Sequence, residues 1–479
     1  MMDETSGVRD STRRGFLRLV GAAGAAGLVA RPIFSAAPIA GDAWEEAAAI
    51  LRRITPPRFP DRQFDITRYG AVAGGKTDAT EAIRRAIAAC TQRGGGRVVI
   101  PAGDFLTGAI HLRSNVNLHV SSGARLRFST EPSQYLPVVF TRWEGVECMN
   151  YSPFIYAYRQ ENIAVTGDGI LDGQSGLEHW WPWTGRREHG GGQGGPSQRT
   201  ARGLLFGMGE KDVPVQERVF GEGNYLRPQF IQPYQCRNVL VDGVTIVNSP
   251  MWEIHPVLCT NVVVRGLKVV SHGPNNDGCD PECCRDVLIE DCLFDTGDDC
   301  IAIKSGRNRD GRRVGAPTEN VVIRGCEMKG GHGGVTIGSE ASGGVRNVFA
   351  ENCRMDSANL DRVLRLKTNS VRGGFIEHVR MRNVTVGQVA DAVLQIDLSY
   401  EEGNTGKYPP VVRDIEMRNV TSRKSKYALY LRGYASVPIR DVRLEACTFD
   451  NVAQPDVIEN VEGLRLTAVK VNGSLIDRP

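Results

Sequence analysis

Apolar and polar residues alternate in a short phrase that recurs down the last two thirds of the chain. The phrase has the form x-x-Asn/Asp-Val-x-Ile/Val, with apolar positions such as Val321 and Ile323 two residues apart. Copies start at Cys236, Cys259, Cys284, Thr318, Val345, Val412 and Ile439, with looser ones at Ile376 and Gln160. From Cys236 onward the starts lie 23, 25, 34, 27, 31, 36 and 27 residues apart. Such a repeat without a helical stripe predicts a solenoid of short strands, a parallel β-helix.

A second periodic position supports this register. The eighth residue after each start is apolar and mostly small: Val244, Leu267, Cys292, Cys326, Cys353, Val384, Val420 and Cys447. Stacked coils need such an inward ladder, so we expect one β-helix domain over residues 62–479, since a solenoid lengthens without a new core. Successive coils place Cβ atoms about 4.8 Å apart, beyond the mean of about 3.8 Å in disulfides. We therefore expect most of the cysteines to pack as buried thiols.

Two helical patterns precede the repeat. Residues 41–61 predict a short amphipathic helix that ends near Ile54 and a proline-rich linker. Residues 79–92 predict a second helix, which stops at a run of three glycines. Such a helix can cover the open end of a β-helix, where unpaired strand edges would promote aggregation. The predicted fold is therefore all-β, a parallel β-helix with a short N-terminal helical cap.

Residues 174–228 interrupt the repeat. They contain Trp180, Trp181 and Trp183, a glycine-rich run and scattered arginines. A loop of this length in a solenoid is usually functional. The tryptophans either stack on sugar rings or anchor the insertion to the scaffold, and the sequence leaves both interpretations open.

The first 40 residues have the pattern of an export signal. Arg13 and Arg14 precede an apolar run over residues 17–30, and small residues follow near Ala36 to Ala40. This segment of 14 residues is too short for a membrane span, which needs roughly 20. We expect a twin-arginine signal peptide, a periplasmic or extracellular protein, and no stable membrane association once the signal is removed.

Polar residues with catalytic chemistry occupy matching places in the repeat. Asp298 lies 14 residues after Cys284, and His332 lies 14 residues after Thr318, so we expect the two to stack. Asp277 fits one coil earlier, beneath Asp299. Arg365 and Lys367 fit one coil after His332, pointing outward because Leu364 and Leu366 point inward. The sequence predicts a polar patch that spans four coils.

This patch suits acid–base chemistry on an acidic sugar. Neighbouring carboxylates cannot all ionise freely, so one can act as an acid while another remains a base, as glycosidic hydrolysis requires. Two cations on one strand face can bind a substrate carboxylate. An Asp-Asp pair alone is commonly structural; its stacking near Asp277 and His332 makes a site far more specific.

At these residues the chain resembles glycoside hydrolase family 28, the polygalacturonase-like enzymes. The family motifs Asn-Thr-Asp, Gly-Asp-Asp, His-Gly and Arg-Ile-Lys appear in order as residues 275–277, 297–299, 332–333 and 365–367, with Asn276 for Thr and Leu366 for Ile. The resemblance runs from about Phe64 to Val471. It implies a right-handed β-helix and inverting hydrolysis of α-1,4-galacturonosidic linkages in pectin.

The resemblance also implies a role for each motif residue. Asp298 would be the general acid, and Asp277 and Asp299 would activate water. His332 would support the protonation of the acid. Arg365 and Lys367 would bind the galacturonate carboxylate. Tyr400, one coil later, is a candidate for the floor of a sugar subsite.

Several alternatives remain at this point. The substrate is polygalacturonate, a substituted galacturonan or rhamnogalacturonan; we expect exo attack because the insertion just precedes the catalytic coils. A calcium-dependent pectate lyase and a β-helix that only binds glycans are the alternative hypotheses.

We expect no cofactor and no metal. Net charge is +3, and +1 without residues 1–40, so we expect no nucleic-acid partner, and we expect a monomer.

Overall fold

The strands wind into a right-handed parallel β-helix, as predicted, in a computed structural model that describes residues 43–478. The predicted signal peptide, residues 1–40, lies outside the described residues. Within residues 43–478, none of the helices combines the length and apolar character that crossing a membrane demands.

The repeat phrase forms the first face of the β-helix. Its strands stack in parallel with the predicted register, so that Arg237, Thr260 and Arg285 are direct neighbours. Along the chain these strands are Gln63–Asp65, Gly96–Ile100, Val116–Val120, Glu161–Thr166, Arg237–Asp242, Thr260–Arg265, Arg285–Glu290, Thr318–Arg324, Val345–Glu351, Phe375–Val386, Val411–Ser422, Ile439–Glu445 and Arg465–Val471.

The Asn/Asp of the phrase has a backbone reason. Asn238, Asn261, Asn320 and Asn347 have φ values of 58°, 59°, 62° and 57°, in the left-handed region that Asn and Asp tolerate best after glycine. Their amides also join the coils, since Asn261 Nδ2 donates to Asn238 Oδ1 at 2.8 Å. The repeat therefore marks a tight turn that also pairs neighbouring coils by side-chain hydrogen bonds.

Two further faces complete each coil. The second face contains Gly103–Thr107, Ala124–Phe128, Ile170–Asp172, Thr245–Val247, Lys268–Ser271, Leu293–Thr296, Glu327–Met328, Arg354–Met355 and Thr448–Phe449. The third face contains Ile110–His111, Ile155–Tyr158, Ile231–Tyr234, Ile301–Ile303, Val335–Gly338, Leu364–Lys367, Ala392–Asp397, Tyr427–Arg432 and Val457–Glu459. Short strands at Val461–Glu462 and Ser474–Arg478 end the described chain.

The interior is filled by the predicted ladder. Its eight members, from Val244 to Cys447, are at most 2% exposed, so the coil register read from the sequence is correct. All twelve cysteines are buried with free thiols. Their burial agrees with the packing role predicted for them.

Helices cover the end and one side of the solenoid. Thr80–Gln92, the cap helix, buries Ile83 and Ile87 in the main core and packs on the first strands of the β-helix, as predicted. Ala43–Arg53, the side helix, instead lies along the outside of the first face, where Trp44 meets Phe349 edge-on with ring centroids 5.5 Å apart. Two more helices, Arg199–Glu210 and Asn308–Val314, pack on each other and on the strand Val146–Asn150.

Candidate active site

The predicted polar patch lies on the third face. Cys279 pairs with Ile301 of the next coil, and the strands Ile301–Ile303, Val335–Gly338 and Leu364–Lys367 follow in parallel register. The stack of four coils predicted from motif spacing is therefore the observed one.

Three carboxylates form the centre of the patch. Asp277, Asp298 and Asp299 each place one oxygen within 4.8 Å of the others. Only Asp298 is open to solvent, with 18% of its side chain exposed, against 4% for Asp277 and 0% for Asp299. These nearest carboxylate oxygens are closer together than the roughly 6.5–9.5 Å expected between the acid and base carboxyls of an inverting enzyme. The reason is that adjacent coils are only about 4.8 Å apart.

Asp299 is held by the two predicted clamp cations. Lys367 Nζ donates to Asp299 Oδ2 at 2.7 Å, and Arg365 Nη1 donates to Asp299 Oδ1 at 3.2 Å. Thr336 Oγ1 adds a third hydrogen bond at 2.8 Å. Burial acts to raise the pKa of Asp299, but the charges of Lys367 and Arg365 outweigh it and hold the pKa well below its usual value. Both cations are buried and already face a protein carboxylate, which the sequence did not indicate.

Asp298 and His332 form the stacked pair that the repeat predicted. His332 Nδ1 lies 3.0 Å from Asp298 Oδ1, and the His332 backbone N–H donates to the Asp298 carbonyl. Burial acts to raise the pKa of Asp298, but the hydrogen bond to His332, together with the charges of His332 and Lys367, outweighs it, so the net shift of the pKa is downward. The same hydrogen bond raises the pKa of His332. Each partner therefore stabilises the charged form of the other.

Asp277 has the opposite environment. Burial, followed by the charge of Asp298, raises its pKa to about 7. Lys304 Nζ, 3.4 Å from Asp277 Oδ2, opposes that shift. The other oxygen, Asp277 Oδ1, is buried and has no hydrogen-bond partner among residues 43–478. Asp277 also lines the cleft, so this unpaired acceptor lies beside the space open to a ligand.

Asn276, which replaces the threonine of the family motif, fixes the backbone immediately before Asp277. Its Oδ1 accepts hydrogen bonds from Ser271 Oγ at 2.6 Å and from the Gly273 backbone N–H at 2.8 Å. Its backbone carbonyl accepts from the N–H of Asp298. The departure from the motif therefore keeps a structural link between Asp277 and Asp298.

Five residues beside the trio were given no role in hydrolysis by the sequence motifs. Lys304 Nζ lies 3.3 Å from Asp280, 3.5 Å from Glu340 and 4.3 Å from the ring centroid of Trp252. Arg307 Nη1 binds Glu340 at 3.1 Å. A signal existed for Lys304, since it continues the in–out alternation of the strand Ile301–Ile303 one step beyond its end. Nothing in the sequence spacing pointed to Arg307 or Trp252.

The trio can also be examined as a cation site. The spacing of its oxygens would permit a metal ion. However, Lys367, Arg365 and Lys304 lie 2.7, 3.2 and 3.4 Å from these carboxylates and already compensate their charge. This donor set, with ammonium and guanidinium groups inside it, fits calcium poorly.

The trio opens into a cleft of about 720 Å³, a size typical of ligand pockets. Its floor carries Asp277, Asp298, Lys304, His332 and Lys367, and its far side carries Tyr400 and Glu401. The near wall belongs to the insertion 174–228, with the residues Thr184, Arg186, His189, Gln198, Arg199 and Arg202. The insertion therefore borders the same cleft as Asp277 and Asp298.

The insertion is fixed by its own packing. Its helix, Arg199–Glu210, buries Ala201 and Leu205 against the hairpin Val139–Trp143 and Val146–Asn150. At the hairpin tip Gly145 has φ 81°, and a Cβ there would lie 2.7 Å from the backbone N of Arg307. The hairpin that supports the insertion therefore contacts the backbone of Arg307 at a position where only glycine fits.

The tryptophans of the insertion anchor it. Trp180 and Trp183 are buried in the main core, 2% and 8% exposed, with ring centroids 4.8 Å apart. Trp181 Nε1 donates to the Ser249 carbonyl at 2.9 Å, and its ring covers Gly273. Of the two open interpretations, sugar stacking is wrong for Trp180 and Trp183, which anchor the insertion. The large apolar surface of the Trp180 and Trp183 indoles is buried in the main core of the β-helix.

Tyr400 lies where the sequence placed it. Its ring has the Arg365 guanidinium 5.5 Å and the Lys367 ammonium 5.3 Å from its centroid. The residue also lines the cleft. Its part in a sugar subsite stays a prediction.

Comparison with known proteins decides the family. The model of the glycosyl hydrolases family 28 matches residues 215–470, more than half of the chain. The chain belongs to glycosyl hydrolase family 28.

This family 28 chain is similar to proteins described as exo- and endo-acting. It shares 45% identity and a TM-score of 0.88 with the crystal structure of a hyperthermoactive exopolygalacturonase from Thermotoga maritima, covering 91% of this chain and 97% of that one. It is 28% identical over 421 residues to a "Probable polygalacturonase" of Vitis vinifera, covering 83% of this chain and 77% of the relative. It is 27% identical over 421 residues to an "Endo-polygalacturonase" of Pectobacterium carotovorum subsp. carotovorum, covering 84% and 88%.

Proposed function

We propose that this family 28 protein is an exo-acting polygalacturonase, which hydrolyses α-1,4-galacturonosidic linkages of pectin with inversion. The observation that carries the proposal is the carboxylate trio with His332 on the floor of a cleft that the insertion walls. The similarity to the Thermotoga maritima exopolygalacturonase, over nearly the whole of both chains, supports the same activity and mode.

Asp298 delivers the proton to the leaving group. It is the member of the trio exposed to the cleft, and His332 supports it at 3.0 Å. The proton passes from the Asp298 carboxyl to the glycosidic oxygen as the bond to the anomeric carbon breaks. A substrate carboxylate that engages Lys367 weakens the positive field that lowers the pKa of Asp298, which favours its protonated form.

Asp277 takes the proton from the attacking water. Its Oδ1 is unpartnered among the described residues, and a base with a pKa near neutrality is well matched to this step. Asp299 stays anionic under Lys367 and Arg365 and orients the water. After the step Asp277 holds a proton and Asp298 has lost one. Because carboxyl oxygens of the trio lie within 4.8 Å of one another, one water molecule from the solvent, hydrogen-bonded to both, can carry the proton from Asp277 back to Asp298.

The exo mode follows from the wall. An open β-helix groove lets a polymer lie along it, whereas the insertion borders this cleft with six residues, from Thr184 to Arg202. Polygalacturonate digested by the protein should release monomer or dimer from the start, while viscosity falls slowly relative to reducing ends. Rapid loss of viscosity with mixed oligomers would contradict the exo mode and leave the hydrolase activity standing.

We also propose export by the twin-arginine route to the periplasm or the medium. Arg13 and Arg14 before the short apolar run support it. Changing both to Lys should leave the precursor in the cytoplasm, whereas Arg18→Lys, in the same segment, should be exported normally. Undiminished export of the double variant would reject this route.

A monomer is proposed as well. The cap helix covers the first strands of the β-helix. A covered end disfavours strand-to-strand association. Light scattering during gel filtration should give one chain's mass, and a dimer mass would refute the proposal.

A further inference from the structure

The cations of the cleft fall into two groups. On the floor and around it, cationic groups already bind protein carboxylates: Lys367 binds Asp299, Lys304 binds Asp277, Arg307 binds Glu340 and Arg202 binds Glu144. On the insertion wall, Arg186 and Arg199 are exposed, and in residues 43–478 neither of them has an ion pair. The wall therefore offers positive charge that no side chain of the described protein neutralises.

The local backbone brings these two arginines to one corner. Arg199 begins the insertion helix directly after Gln198, which is buried and accepts a hydrogen bond from Arg227 Nε at 3.0 Å. Arg186 follows Gly185, whose φ is 69°, and a Cβ on Gly185 would come within 3.2 Å of Arg199 Nε. Both residues thus extend from a turn that is tied to the core through Trp183 and Gln198.

The acidic lining of the cleft indicates what these two arginines could bind. The lining contains the acids Glu144, Asp277, Asp298, Glu340 and Glu401, all of which repel a polyanionic substrate. Guanidinium groups bind carboxylates with directed, charge-assisted hydrogen bonds. A polyanion that reaches the trio must be met by cations that are still available.

We propose that Arg186 and Arg199 form a carboxylate-binding site for the galacturonate unit at the walled end of the cleft. The site rests on the proposed function, and it adds a second point of recognition beyond Arg365 and Lys367. It makes the insertion a binding element for the chain end as well as a steric barrier.

The test compares Arg186→Gln, Arg199→Gln and the double variant on trigalacturonate. A lost charge-assisted contact should raise KM about tenfold for each arginine, with kcat within about threefold of the parent value. Arg199→Lys should restore part of the affinity because it keeps the charge. Arg187→Gln is the matched control, since Arg187 is exposed in the same turn and is absent from the cleft lining.

The outcomes separate this site from the proposed function. A parent enzyme that hydrolyses trigalacturonate, with KM of the double variant within twofold of the parent value, overturns the site alone. An equal rise in Arg187→Gln also overturns it, because the effect is then general attraction. Thermal unfolding of each variant should match the parent. A parent protein that leaves trigalacturonate intact refutes the function itself.

Discussion

The floor and the wall of the cleft are specified by different kinds of sequence. The floor comes from the repeat, in which a fixed register places Asp277, Asp299, His332 and Arg365 on four successive coils. The wall comes from the insertion 174–228, which leaves the register and is held by buried tryptophans and its own helix. The floor carries the acid–base chemistry, and the wall decides what reaches it. The comparison predicts that floor variants lose turnover, whereas wall variants change binding and mode.

The largest effect should come from the floor. Asp298→Asn removes the proton donor and should lower kcat about 10²–10⁴-fold, with binding of trigalacturonate retained. Asp295→Asn is a matched control, because Asp295 lies in the same coil and also faces a histidine, His272, at 3.5 Å. Steady-state kinetics of both variants check the prediction. Similar losses of kcat in the two variants would show that Asp298 is not the proton donor.

Loosening the wall should affect stability and mode together. Trp180→Ala leaves a cavity beside Tyr135 and Phe154 and should lower the free energy of unfolding by about 3–5 kcal/mol. Longer products should then appear among the digestion products. Leu177→Ala, in the same insertion and 60% exposed, should change neither property. A Trp180→Ala enzyme that still releases only monomer or dimer would mean that the wall does not set the mode.

The Lys367→Met variant tests whether this floor cation binds the substrate carboxylate or only Asp299. If it contacts the substrate, losing the charge-assisted contact should cost about 1.5–3 kcal/mol in kcat/KM on galacturonate oligomers, well above the loss on a neutral analogue. Equal losses on both would assign Lys367 to Asp299 alone, to which it donates at 2.7 Å.

The pH profile should report the shared proton. Asp277, with a pKa of about 7, and Asp298 need one proton between them, and that proton is lost as pH rises through this value. The alkaline limb of kcat/KM should therefore fall near pH 7, as a property of the pair. Lys304→Met removes a positive charge that lowers the pKa of Asp277, so the limb should move to higher pH. A shift to lower pH would contradict the assignment.

Periodicity explains what could be predicted. The coil register, the inward ladder and the Asp298–His332 contact follow from residues at fixed distances from each repeat start. The cap helix could be foreseen from its apolar face. The pairing of Arg365 and Lys367 with Asp299 could not, since spacing gives the coil but not the choice of partner for a long side chain.

Other features had a signal that was missed or had none. The side helix covers the x positions of the phrase, which are apolar at Leu240, Val263, Leu288, Val322 and Phe349 and polar later, at Arg380 and Glu416. The change from apolar to polar x positions marks the coils at which the side helix stops covering the first face. The anchoring of Trp180 and Trp183 had no such signal, because an insertion has no register from which burial can be read.

The central claim is inverting hydrolysis from a chain end on a floor whose carboxylates are unusually close. Proton NMR of polygalacturonate during the first turnovers tests it most directly, since it identifies both the size and the anomer of the first product. The account predicts galacturonate monomer or dimer that appears first as the β-anomer from the α-linkage. Initial α-anomer would contradict inversion by Asp298 and Asp277, as their separation within 4.8 Å would then reflect a retaining mechanism.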